Sequence, residues 1–149
     1  MKRFWIHALR ALSLASAVAV LAALIGPALA DGDPLYRDLG EKDGIATIAK
    51  YTTANFLADP RIKATFDNTN MERFEKLLAD QFCVVAGGPC EYKGRSMKDA
   101  HKALGLDNAD FNAVVEDLQD ALDKAGVPFA TQNRFLARLA PMQHDVVTK

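Results

Sequence analysis

A chain of 149 residues, half of them apolar and a quarter charged, has the balance of a folded globular domain and excludes a disordered or fibrous protein. A formal net charge of −1 with no basic run speaks against nucleic acid as a partner. Two cysteines are too few for a scaffold built on disulfides.

The first 30 residues carry Lys2, Arg3 and Arg10, no acid, an apolar run from Ala11 to Ile25 and then Pro27-Ala28-Leu29-Ala30, a small-residue cleavage pattern. This is the order of a secretory signal peptide cut after Ala30, and it implies an exported, periplasmic protein. An uncleaved membrane anchor is the competing reading, although the run is short against the roughly 20 apolar residues of a span. Cleavage leaves one domain over 31–149, in which 15 Lys+Arg stand against 19 Asp+Glu, a net charge of −4.

In that domain apolar residues recur at helical spacing and strand alternation is absent, so the fold class is all-α. A short helix over Leu35 to Leu39 meets Gly40. The stripe Ile45, Ile48, Ala49, Thr52, Phe56 then marks a helix ending near Asp59-Pro60. Pro60 to Phe66 reads as a short helical turn. Asn70 is placed to cap the strongest helix, whose inward face is Met71, Phe74, Leu78, Gln81 or Phe82, and Val85, and Gly87-Gly88-Pro89 stops it.

Ser96-x-x-Asp99 opens a short helix carrying Met97, His101 and Leu104, closed by Gly105. Asp107 caps a helix with Phe111, Val114, Val115, Leu118 and Leu122 on one face. Gly126 ends it, Pro128 begins the first turn of the next, and the last helix presents Phe135, Leu136, Leu139 and Met142. Five or six helices must pack on one another.

Beyond residue 30 there are two histidines, His101 and His144, and the second lies in a polar tail. A lone histidine on a short helix is an ordinary surface or core residue unless something supplies the other ligands of a metal. Haem does: the porphyrin provides four equatorial nitrogens and the protein one axial imidazole.

Leu35-Tyr36-x-x-Leu39-Gly40, Phe56-Leu57-Ala58-Asp59, Asn70-Met71, Gly87-Gly88-Pro89, Tyr92-x-Gly94, Met97, His101, Ala125-Gly126-Val127-Pro128 and Leu139-Ala140-Pro141 stand in one order over residues 34 to 141. In order and spacing the set resembles the group I truncated haemoglobins. The resemblance implies a two-over-two helical sandwich and a haem whose iron is held by His101. It also implies a pocket wall that includes Phe66, Phe74, Leu78, Tyr92, Met97, Phe111 and Val114. Arg73, Lys76, Tyr92 and Lys98 are the nearby candidates for the haem propionates.

Departures from the family fall on the gas-binding side. The tyrosine usual there falls at Thr53 and the frequent glutamine at Leu78. A dioxygen ligand draws partial negative charge, and a lost neutral donor weakens its retention by about 1 kcal/mol, more where the acceptor is charged. Faster oxygen release and easier oxidation of the iron are therefore expected. Gln81 lies almost on the same helical face as Phe74 and is a candidate replacement, Thr53 through a bridging water another. In the alternative, both simply bond backbone or solvent. Phe82 resembles a tunnel-gating aromatic of some relatives, with core packing as the plain alternative.

Cys83 and Cys90 flank the glycine turn, which can fold the chain back far enough to bond them. Such a link would pin the end of the distal helix to the loop leading to His101. No Cys-x-x-Cys-His occurs, so haem b is expected rather than covalent c-type attachment. The functions that follow are reversible binding of oxygen, nitric oxide or carbon monoxide, or conversion of nitric oxide to nitrate with oxygen and an unknown reductase. The third reading is a non-haem exported helical interaction domain, whose aromatic stripes are only core.

Overall fold

The computed structural model describes residues 33–149, and the signal peptide read over residues 1–30 lies outside them. Every regular element among the described residues is helical. They are α1 (Pro34–Asp38), α2 (Glu41–Ala58), a 3-10 turn (Lys63–Phe66), α3 (Met71–Val85), α4 (Met97–His101), α5 (Asn108–Lys124), α6 (Phe129–Leu139), a second 3-10 turn (Ala140–Met142) and α7 (Gln143–Val146). The all-α expectation holds, with α7 beyond the helices that the apolar pattern marks.

Short polar side chains start α1, α3, α4 and α5 by satisfying backbone N–H groups that have no partner in the first turn. Asn70 accepts from the Arg73 N–H at 2.9 Å and Ser96 from the Asp99 N–H at 3.1 Å. Asp107 and Asp110 form a reciprocal capping box at the head of α5. Two helices stop in the same way. At the end of α3, Gly87 N–H donates to Val84 O and Gly88 N–H to Cys83 O. At the end of α5, Gly126 N–H donates to Asp123 O and Val127 N–H to Leu122 O. Both are Schellman stops, with Gly87 at φ +79° and Gly126 at φ +73°.

The helices form two layers, α2 with α3 and α5 with α6, α2 crossing both α3 and α5. Ile45, Ile48, Ala49, Thr52 and Phe56 are buried along α2, as their spacing predicts. Ile45, Ile48 and Ala49 meet Leu35, Leu39, Phe82, Leu118, Leu122 and Phe135 in the main core. Phe135 is fully buried and stands edge-on to Phe82, ring centroids 5.1 Å apart.

Three details differ from the pattern. Leu104 is not on α4, which ends at His101; the chain turns there, Leu104 N–H donating to His101 O, and leaves Leu104 exposed. Met142 belongs to a 3-10 turn rather than to α6, because Pro141 has no N–H to continue the helix. Pro128 is the N-cap of α6, not part of its first turn.

Candidate functional site

His101 closes α4, and its ring is oriented from within that helix. Its Nδ1 lies 2.7 Å from the carbonyl oxygen of Met97, one turn earlier. A carbonyl only accepts, so Nδ1 carries the proton of this bond, and in the neutral ring the lone pair is on Nε2. The residue is half-buried. A neutral imidazole with one nitrogen anchored and the other free to coordinate is what an axial ligand requires. His144 also has its Nδ1 on a carbonyl oxygen, that of Pro141, but its side chain is exposed and its Nε2 is taken up by Asp145 at 3.3 Å.

Around α4 the apolar surface is left unfinished. α3 is strongly amphipathic, yet only Phe82 and Cys83 on it are buried, whereas Met71, Phe74, Leu77, Leu78 and Gln81 are half-buried. α5 shows the same split: Leu118 and Leu122 are buried, Phe111, Val114 and Val115 are not. Met97 on α4 is half-buried too. Apolar side chains concentrated on neighbouring helices but incompletely covered mark a ligand-binding surface rather than a finished core.

Phe66 and Phe74 belong to this surface. Phe66 stacks on the buried Phe56 at 5.5 Å between centroids and meets Phe74 edge-on at 5.3 Å. Leu78 and Val114 pack against the same cluster, with Ile62 and Ala113 beneath. The fold thus brings together Phe66, Phe74, Leu78 and Val114, four residues from three separate stretches of the sequence. Phe82 lies with Phe135 in the main core instead, which is the packing role.

The polar residues divide. The Thr53 hydroxyl is buried with no hydrogen-bond partner, whereas its neighbour Thr52 donates to Ile48 O at 2.8 Å. Gln81 does not turn toward Thr53: its amide donates to the sulfur of Met97 at 3.2 Å and to that of Met142 at 3.5 Å. Neither side chain makes the ordinary backbone bond.

The loop before α4 is tied to itself and to α3. Tyr92 folds over Gly94, where a Cβ would sit 2.2 Å from the tyrosine ring and hydroxyl. Its hydroxyl donates to Arg95 O at 2.9 Å, and burial pushes its pKa up. Cys83 and Cys90 are bonded, their Cα atoms 5.9 Å apart. Gly88 is required between them, since a Cβ there would meet the ring of Tyr36 and the Cys83 sulfur. Arg73, Lys76 and Lys98 stand exposed on α3 and α4.

Met142, Leu106 and Thr148 also surround α4, and reading the sequence did not single them out as site residues. Met142 was assigned only to an apolar helix face. Nothing in the polar run Gln143-His144-Asp145 signals a return to residue 106.

The site therefore offers one anchored imidazole, a broad half-covered apolar surface on three helices and an orphaned buried hydroxyl. That donor set and surface fit an iron porphyrin. Groups of three or more metal-ligating side chains are absent among the described residues.

Comparison with known proteins agrees. Residues 34–148 match the family model for bacterial-like globins. The chain is 32% identical over 115 residues to the group 1 truncated hemoglobin of Tetrahymena pyriformis, covering 77% of this chain and 95% of that protein. It is 31% identical over 114 residues to that of Mycolicibacterium paratuberculosis, covering 76% and 84%. The fold superposes on the crystal structure of the Tetrahymena pyriformis protein in its Fe(III) form with a TM-score of 0.75, covering 77% of this chain and 98% of that one. On the 2/2 hemoglobin of Synechococcus the TM-score is 0.72 at 26% identity, with the same coverage. The chain belongs to the bacterial-like globins, as a haem-binding truncated haemoglobin of group I.

Proposed function

We propose that this chain binds a diatomic gas reversibly, oxygen foremost, at a haem b held by His101, in an exported compartment. The observation that carries the reading is the 2.7 Å approach of His101 Nδ1 to Met97 O, which leaves Nε2 as a free donor directed by its own helix. When bound, haem supplies an iron with a further coordination position for the gas.

The chain's residues do the rest. Phe66, Phe74, Leu78, Phe111 and Val114 keep water from the haem faces, and exclusion of water slows oxidation of the iron. Thr53 supplies the one buried hydroxyl without another partner among the described residues. Gln81 is engaged by two sulfurs and does not serve as a donor to the gas. A gas held by so few hydrogen bonds leaves quickly. Export is supported by the leader-like residues 1–30 and by the bonded Cys83–Cys90 pair, which an oxidising compartment maintains.

The test is the absorption spectrum of the haem-loaded chain and of His101→Ala, both reduced and exposed to carbon monoxide. A sharp, stoichiometric, histidine-ligated carbonyl spectrum in the parent, lost or altered in the variant, is expected. Equal and featureless haem uptake by both overturns the reading.

A further inference from the structure

We propose that residues 143–149 form a clasp that sets the position of α4, with Gln143 and Thr148 as its positioning residues; the proposal rests on His101 being the iron ligand. α4 has only five residues, none of them buried. Isolated helices shorter than about 12 residues are not stable in water, so neighbours must hold α4 in place. The neighbour packed on it is α7.

The clasp is fastened at two places in the chain that follows α4. After α7, the Thr148 and Lys149 N–H groups both donate to Leu106 O, at 2.9 and 3.2 Å. Leu106 N–H donates in return to Thr148 Oγ1 at 3.1 Å. Leu106 lies five residues after His101, so these three bonds hold the loop that leaves α4. At its start, Gln143 Nε2 donates to Asn108 Oδ1 at 3.0 Å at the head of α5, and Met142 receives the Gln81 amide from α3. The segment thus bridges the loop after α4 and the start of α5, with α4 against it, while Met142 just before it meets α3. Since Met97 O orients the His101 ring, a shift of α4 moves the imidazole with it.

The experiment compares the haem-loaded parent with a variant lacking residues 143–149, with Gln143→Ala, with Thr148→Val, which removes only the acceptor for Leu106 N–H, and with Thr148→Ser, which restores it. Three readouts are followed: the iron–histidine stretching band of the reduced protein, the rate of haem transfer to a scavenger globin, and amide hydrogen exchange over residues 97–106 without haem. In the deletion variant haem release is expected to rise about tenfold, equivalent to about 1.4 kcal/mol. The stretching band should shift or broaden, and exchange over residues 97–106 should quicken. Gln143→Ala and Thr148→Val move all three the same way by less, and Thr148→Ser behaves as the parent.

An unchanged band, release rate and exchange in Gln143→Ala and Thr148→Val overturn the clasp, and these two decide the matter if the deletion variant does not fold. A parent with no iron–histidine band sinks the assignment of His101 instead. In that case exchange over residues 97–106 still decides whether the segment holds α4.

Discussion

Gln81 on α3 reaches across to Met97 on α4, its amide nitrogen 3.2 Å from the thioether sulfur. The contact joins the helix that carries Phe74 and Leu78 to the helix that carries His101. A thioether is a weak acceptor, so the bond itself contributes little.

Gln81→Leu is accordingly expected to change stability by less than about 1 kcal/mol. The C–O stretching frequency of the carbon monoxide complex should stay where it is in the parent. Infrared spectroscopy of the two complexes checks this; a shift of the band would mean that the amide turns to the gas.

Thr53 gives the opposite expectation. Its hydroxyl is the buried, unpartnered polar group of α2, at the position where the sequence resemblance places a tyrosine. Thr53→Tyr should slow oxygen release by roughly tenfold or more, the effect of a hydrogen bond worth about 1.5 kcal/mol to a partly charged acceptor. Stopped-flow displacement of oxygen by carbon monoxide measures it, and an unchanged rate would place Thr53 outside the gas pocket.

The Cys83–Cys90 bond closes a loop of seven residues in separation. In the chain-entropy model such closure contributes about 2.5 kcal/mol, so replacing both cysteines with serine should lower unfolding free energy by about that amount. Denaturant titration of parent and variant, each with and without reductant, tests it. Reductant should destabilise the parent and leave the variant unaffected.

Asp117 is buried on α5 with one carboxylate oxygen unpartnered, and burial first, then the nearby Asp59, pushes its pKa up. A carboxyl whose folded pKa is raised favours folding while it is protonated, and that contribution fades as pH rises through the folded value. Asp117→Asn should therefore raise the melting temperature at neutral pH, by the equivalent of about 1 kcal/mol for relief of an uncompensated buried group. Below pH 4 parent and variant should converge. Asp59 has the reverse sign: its hydrogen bonds from Arg61 hold its pKa down, and it loses its contribution in acid. A variant melting at or below the parent at pH 7 would count against the account of Asp117.

How much of this was legible in the sequence follows from where each signal is local. Asn70, Ser96 and Asp107 announce helix starts through bonds within three residues, and Gly87 and Gly126 announce stops the same way. The apolar period along α2 correctly gave its buried face. His101 was identified as a candidate because the neighbouring motif supplied a context that its own helix lacks. What could not be read depends on partners far along the chain. Gln81 sits on the right face for the gas, yet two methionine sulfurs, 16 and 61 residues away, hold its amide elsewhere. Thr148 and Leu106, 42 residues apart, belong to polar and loop stretches whose pairing no period encodes. Phe82 could be read as a gate or as core until Phe135 was seen against it.

Phe135 is the largest fully buried side chain among the described residues, and Arg138, one turn on, donates to both Asp33 and Val85 O. A polypeptide is made from its amino end, so the centre of this core lacks its main occupant until residue 135 has left the ribosome. Until then α1, α2 and α3 can meet one another and α5, but the space between them is not filled. Completion waits for nearly the whole length of the chain, a delay that suits a polypeptide expected to be threaded across a membrane before it folds.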